Sequence, residues 1–342
     1  MAERTSLYEA KLRGLVREHL GVEIEIIESP GSAGGFVAST GYLLAEAAGG
    51  NEAKTGSLGL AERMLGPALL WAEKQGFESL SLLADPAVAG HLARRAGHFA
   101  SGPSITVFAV DGTTITVAEP APILDVPELT AAEWSFAGLI AEGGARAVDD
   151  HGRIVAEFAG LEVARVILDH SGERPAIPLL EVGVGQADRE LHQLVHRDLD
   201  PDAGLRRAIS AVAPHRRPGA PPHPLNRLAR ERWIRSSILD QPSLIDLISA
   251  EPVAPLRPRD TLLGTQPVAA VGRRADGAPV VVVCSVGVEV DLAAEAADYR
   301  QREDTDAELI VVTPPRDRYP VVERLVERLD NASLATPPPP WE

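Results

Sequence analysis

Four proline-rich stretches decide how this chain can be divided. They span Glu119–Pro127, Ala213–Pro224, Glu251–Arg259 and Thr336–Glu342, the last with four consecutive prolines. Proline removes a backbone donor and fixes φ, so such runs end elements or join domains. The chain has 342 residues, and domains usually take about 100–200 each. Three domains and a tail are therefore predicted: an N-terminal α/β domain over 1–118, an α+β middle domain over 128–250 carrying a basic helical segment, a C-terminal α/β domain over 261–336, and a proline-rich tail over 337–342. The fold class expected is α/β to α+β, multi-domain, with mixed sheets and flanking helices.

Local signals fill in those segments. The first predicts a helix over Ser6–His19, strands over Val22–Glu28 and Phe36–Glu46, and a helical region over Leu58–Gln75 in which Pro67 forces a kink or a new start. A strand over Leu80–Ala84 follows, then Asp85–Pro86 as cap and first-turn proline of a helix, then strands flanking Asp111–Gly112 as a hairpin. The last segment reads similarly, with a hairpin at Asp276–Gly277, a helix from Leu292, a strand over Glu308–Val312, a helix over Tyr319–Leu329 and a strand over Ser333–Ala335. Both ends thus read as similar ββαβαβ modules. Between them, Thr130 and Glu133 form a capping box for a helix over Ala131–Ala141. Four strands (Ala145–Val148, Ile154–Ala159, Leu161–Leu168, Leu179–Val184) and helices over Ala187–Arg197, Ala203–Val212 and Leu225–Leu239 complete the middle segment.

Composition excludes several function classes. The single cysteine, Cys284, allows no disulfide framework and reads as a small buried hydrophobe within Val280–Val286. The chain shows neither a basic leader with an apolar core nor an apolar run near the ~20 residues of a bilayer span, so a cytoplasmic location without membrane partners is expected. A net charge of −16 and 4% aromatic residues argue against general coating of nucleic acid.

Three clusters could carry chemistry. Glu157, Glu162 and Glu181 fall on neighbouring predicted strands, where carboxylates can share Mg²⁺ or Mn²⁺. A nuclease of that kind wants a lysine two residues after the second acid, yet Ala164 and Gly183 stand there and Arg165 is one place late. On the predicted helix over Ala187–Arg197, Asp188, His192 and His196 share a stripe, but Asp188 and His196 are too far apart for one ion, about 12 Å along the axis. Gly183-Val184-Gly185 lies between a strand and a helix, where a phosphate loop would sit, but Asp188 replaces its third glycine. The loop Gly49–Thr55 lacks the glycines of a phosphate loop at Ala48 and Ala53.

The third cluster is a basic block. Between Ala203 and Ser236 stand Arg206, Arg207, Arg216, Arg217, Arg227, Arg230, Arg232 and Arg235 against one acid, Glu231, in a chain of 33 basic and 49 acidic residues. Guanidinium forks bind phosphate and carboxylate, so Arg216, Arg217, Arg227 and Arg230 are the candidate anion-binding residues. One helix over Leu225–Leu239 would bury Leu225, Leu228, Ala229 and Trp233 and project Arg227 and Arg230 oppositely. The competing reading pairs the block with carboxylates of the same chain or of a second copy.

The runs Gly160–Arg165 (GLEVAR), Leu180–Glu190 (LEVGVGQADRE) and His223–Trp233 (HPLNRLARERW) resemble a family of functionally unassigned proteins from high-GC bacteria. The resemblance covers most of the chain and implies the same segmentation, with no activity or functional residues attached. The middle segment also resembles a restriction-endonuclease-like core.

Three functions are therefore in play. The first is a non-catalytic binding or regulatory protein for an anionic ligand or protein partner, with nucleic acid reached only through the basic segment. The second is a metal-dependent phosphodiester hydrolase, the one reading that needs a cofactor, Mg²⁺ or Mn²⁺. The third is a structural or assembly protein, with homo-oligomer formation open.

Overall fold

The computed structural model describes residues 2–45, 63–169, 177–195, 200–259, 261–262 and 264–342. The loop Gly49–Thr55 and His196 lie outside the described residues, as does the side chain of His192.

The chain begins with α1 (Ala2–Leu20), β1 (Glu25–Ile27), β2 (Ala33–Val37) and β3 (Thr40–Ala45), followed by α2 (Leu65–Gln75), β4 (Ser79–Ala84), α3 (Pro86–Ala96), β5 (Ser104–Asp111) and β6 (Thr114–Val117). The strand expected over Phe36–Glu46 is instead a hairpin: Ala38 adopts φ 51° and turns β2 back onto β3. Pro67 falls in the first turn of α2, where its missing N–H costs nothing. Asp85 caps α3 by accepting the Ala87 N–H at 2.9 Å.

The middle of the chain runs α4 (Ala131–Trp134), α5 (Ala137–Glu142), β7 (Arg146–Asp149), β8 (Ile154–Phe158), β9 (Leu161–Asp169), β10 (Ile177–Val182), α6 (Gly185–Val195), α7 (Pro201–Val212) and α8 (Arg230–Asp240). The capping box at Thr130 and Glu133 is present, but the helix it starts breaks after Trp134. The end of the chain adds β11 (Ser249–Pro252), β12 (Val268–Arg273), β13 (Pro279–Cys284), α9 (Leu292–Glu303), β14 (Glu308–Val312), α10 (Pro320–Val326) and β15 (Ala332–Ala335).

Among the described residues three sheets form. The first has the order β1-β2-β3-β4-β5-β6, the second β10-β9-β8-β7, and the third β11-β12-β13-β14-β15. In the first, β1, β2 and β3 form an antiparallel meander, then β3, β4 and β5 run parallel. The third repeats that plan, with an antiparallel meander of β11, β12 and β13 followed by parallel β14. The second is antiparallel throughout. The architecture is α/β with several sheets. Among the described residues no helix is long and apolar enough to cross a membrane.

The chain forms two compact units, and neither is a single stretch of sequence. Met1–Ile123, Val288–Arg302 and Tyr319–Ser333 make one; Leu124–Gly287, Glu303–Arg318 and Leu334–Glu342 make the other. In the first, Leu12, Leu15 and Val16 on one face of α1 pack with Ala33, Tyr42, Leu44, Leu83 and Val110. Asp298 of α9 accepts hydrogen bonds from Arg94 Nε (3.0 Å) and Arg95 Nε (2.7 Å) of α3, with His98 Nε2 at 3.2 Å. Asp291 accepts the Gly66 N–H of α2 at 2.6 Å.

Among its described residues the second unit holds two hydrophobic clusters. Ile140, Ile154, Val163, Val182 and Leu205 form one under the antiparallel sheet. The other joins Ile234, Ile238 and Leu239 of α8 to Val268, Val280, Val282, Cys284, Ile310 and Val312. Cys284 is fully buried there, and burial pushes its thiol up to about 12. Helix α8 is buried almost all round, from Glu231 to Leu239 except Ser237. Its tight approach to the β8–β9 turn requires Gly160, since a Cβ there would lie 2.3 Å from the Arg232 carbonyl carbon.

Candidate anion-binding site

Strands β8, β9 and β10 bring Glu157, Glu162 and Glu181 into one sheet but surround each with guanidinium. Glu157, 4% exposed, accepts from Arg232 Nη1 (3.2 Å) and from Arg235 Nη2 (2.8 and 2.9 Å). Arg232 also bonds Asp150 at 2.6 Å. Glu162, also buried, accepts from Arg165 Nε at 2.8 Å and from Arg189 Nη1 at 3.1 Å. Glu181 takes Arg189 Nε at 3.1 Å. Glu162 and Glu181 thus converge on Arg189, while Glu157 turns to α8. Their lone pairs are committed, and among the described residues no group of three or more His, Cys, Asp and Glu side chains is placed to hold a metal. Ligating Mg²⁺ or Mn²⁺ would mean breaking buried ion pairs, at about 3–5 kcal/mol for each charge left alone. These residues do not fit a metal site.

The glycine turn before α6 is equally self-sufficient. Asp188 Oδ2 accepts the Val184 N–H at 2.7 Å, so a carboxylate occupies the position a phosphate would need.

The arginines of the basic block serve separate purposes. Arg232 and Arg235 neutralise Glu157 from inside α8. Arg216 is buried against Trp233, its guanidinium carbon 4.1 Å from the ring centroid. It donates to three main-chain carbonyls, Leu225 at 3.1 Å, Leu228 at 2.8 Å and Ala159 at 2.7 Å. Burial pulls the Arg216 guanidinium down to about 9, which leaves it charged at neutral pH. Arg206 pairs with Asp202 on the surface, and Arg217 is exposed, with Nε 3.4 Å from the Pro214 carbonyl. Arg216 and Arg217 therefore do not join Arg227 and Arg230.

Arg227 and Arg230 do come together, although not on one helix. A 3-10 turn over Pro224–Arg227 precedes α8, and Ala229 at φ 43° separates the two. The break aims Arg227 and Arg230 at a common pocket of about 300 Å³, which Arg316, Asp317, Gly264, Thr265, Val286 and Gly287 also line. Val286 and Gly287 follow β13, and Arg316 follows β14. The pocket thus sits beyond the carboxyl ends of two parallel strands, where open α/β sheets take their ligands. The first turn of α8 borders it without a side-chain cap, and uncapped N–H groups favour an anion.

Charge in the pocket is unbalanced. Glu231 is committed to Arg259, and Asp317 accepts the Gly287 N–H at 2.7 Å while lying 3.6 Å from Arg316 Nε. Among the described residues Arg227 and Arg230 have no carboxylate partner within ion-pair distance. Burial lowers the Arg230 guanidinium, and the charges of Arg316 and Arg227 lower it further against the opposing pull of Asp317. A second polar pocket, about 380 Å³ around Arg165 and Arg189, has those two guanidiniums already satisfied by Glu162 and Glu181.

Arg316 was not among the sequence candidates. Its signal was positional: an arginine in the turn just after a strand of an α/β module, over eighty residues from the basic block. Comparisons with protein-family models, with curated proteins and with solved structures find no match to this chain.

Proposed function

We propose that this protein is a non-catalytic binding protein for a small phosphate-type oxyanion, held between Arg227, Arg230 and Arg316. One observation carries the reading: three guanidiniums meet at a pocket of about 300 Å³, two of them with no carboxylate partner among the described residues. Converging cations repel, and a dianion relieves that repulsion while offering acceptors to their forks. Both carboxylates at the pocket are occupied, Glu231 by Arg259 and Asp317 by the Gly287 N–H, which supports binding in preference to acid–base chemistry. The volume suits a phosphate with a small organic group and is at the lower end of ligand pockets.

The test is calorimetric titration of the full chain with inorganic phosphate, pyrophosphate and malonate at two salt concentrations. Phosphate or pyrophosphate should bind more tightly than malonate, and binding should weaken with salt. Arg227→Glu and Arg230→Glu should each weaken it about tenfold to a hundredfold, the worth of a charge-assisted hydrogen bond. Binding unchanged by either reversal would overturn the reading.

A further inference from the structure

We propose that Trp341 is a positioning residue for Arg230, holding its guanidinium in the geometry the anion pocket needs; the inference rests on the anion-binding reading above. Arg230 Nε donates to the Asn226 carbonyl at 3.0 Å. Its guanidinium carbon stands 4.8 Å from the centroid of the Trp341 ring. One nitrogen and one face are thereby committed, and among the described residues nothing bonds the two terminal nitrogens, which face the pocket. A long side chain that is already pinned loses less rotamer freedom on binding than a free one. The ring also answers the electrostatic problem of the site. Arg227 and Arg316 would drive a third cation toward solvent, whereas the negative face of an indole attracts it.

Trp341 is itself fixed from beneath. Its ring packs on Trp233 with centroids 5.7 Å apart and planes tilted by 58°. Trp233 is 3% exposed, and Arg216 stacks on it in turn. Pro337 and Pro339 are buried, so the segment reaches this position as a stiff strap. The Trp341 Nε1 is buried and, among the described residues, has no hydrogen-bond partner. A buried indole N–H normally finds an acceptor. Here the ring is placed by its contacts with Trp233 and Arg230 rather than by a bond from its N–H. The result is a chain of contacts through Arg216, Trp233, Trp341 and Arg230 that runs from the protein interior to the pocket.

The experiment compares Trp341→Phe and Trp341→Leu in the full chain. Phenylalanine keeps an aromatic face and leucine keeps only apolar bulk, so packing loss is shared and the face is not. Phosphate and pyrophosphate titrations should show Trp341→Leu about tenfold weaker and Trp341→Phe within about threefold of wild type. Exchange of the Arg230 Nε–H, followed by NMR without ligand, should be slow in wild type and Trp341→Phe and fast in Trp341→Leu. Wild-type affinity in Trp341→Leu, or equal losses in both variants, overturns the positioning role and leaves the anion site standing. Failure of wild type to bind either anion removes the anion reading. In that event, exchange equally slow in all three proteins removes the positioning role as well.

Discussion

An arginine in this chain does what its surroundings permit. Arg232 and Arg235 lie three residues apart on α8, both nearly fully buried, and both end on Glu157. Arg216, equally buried, is served by carbonyls and an indole. Arg230 is only partly buried, donates from Nε to the Asn226 carbonyl and lines the pocket. Glu157 is therefore the residue on which the buried pairs depend, because removing its charge strands two guanidiniums at once. Glu157→Gln should destabilise the protein by about 3–5 kcal/mol in urea unfolding, while Arg217→Ala, at an exposed position of the block, should stay within about 0.5 kcal/mol. Equal small effects from both would show that the Glu157 pairs contribute no more than surface bridges.

At the scale of elements, what could be read from sequence is what local chemistry decides. The Asp111–Gly112 and Asp276–Gly277 hairpins, the Asp85 cap and the Thr130–Glu133 box all form, because their hydrogen bonds close within a few residues. The continuous helix over Leu225–Leu239 does not form. Arg216 pins the Leu225 and Leu228 carbonyls from outside, and the Ala229 N–H goes to the Leu262 carbonyl. Those competitors are distant in sequence, so apolar spacing could not foresee the break that aims Arg227 and Arg230. The β8–β9 turn is under similar long-range control. Gly160 combines φ 73° with direct contact against the α8 backbone. Gly160→Ala should therefore cost about 2–4 kcal/mol, summing overpacking and left-handed strain, whereas Gly112→Ala, with open space around a similar φ of 61°, should cost about 1 kcal/mol. Matching midpoints for the two variants would mean that α8 yields to the added methyl.

At the scale of the whole molecule, the chain returns to its first unit after leaving it, and this was hidden from a segment-by-segment reading. The proline-rich stretch at 119–127 does coincide with a unit boundary, but Val288–Arg302 belongs with Met1–Ile123, and its Asp291 and Asp298 bond Gly66, Arg94 and Arg95, more than two hundred positions earlier. Arg316 is placed by the same kind of long-range pairing: β14 lies beside β13, and the turn after it carries Arg316 to the pocket that Arg230 also lines. The returning segment carries three buried carboxylates, Asp291, Glu295 and Asp298, and the first and last of them titrate in opposite directions. Burial raises Asp298, but hydrogen bonds from His98 and Arg94 and the charges of Arg95 and Arg94 more than reverse this and hold it below the ordinary range. Its contribution is present above about pH 4 and fades as pH falls. Asp291 goes the other way, from 3.8 to about 7, through burial that the Gly66 N–H and Arg95 only partly offset. The folded state then keeps a proton that the unfolded chain has already released. Stability must fall as pH climbs from about 4 toward 7, by at most about 1.4 kcal/mol per unit, and level off above. Asn at this position can still accept the Gly66 N–H yet cannot ionise. Asp291→Asn should flatten the limb between about pH 4.5 and 7 in urea unfolding while leaving the acid limb of Asp298 in place. A wild-type limb that persists in Asp291→Asn would assign the neutral-pH slope to some other group.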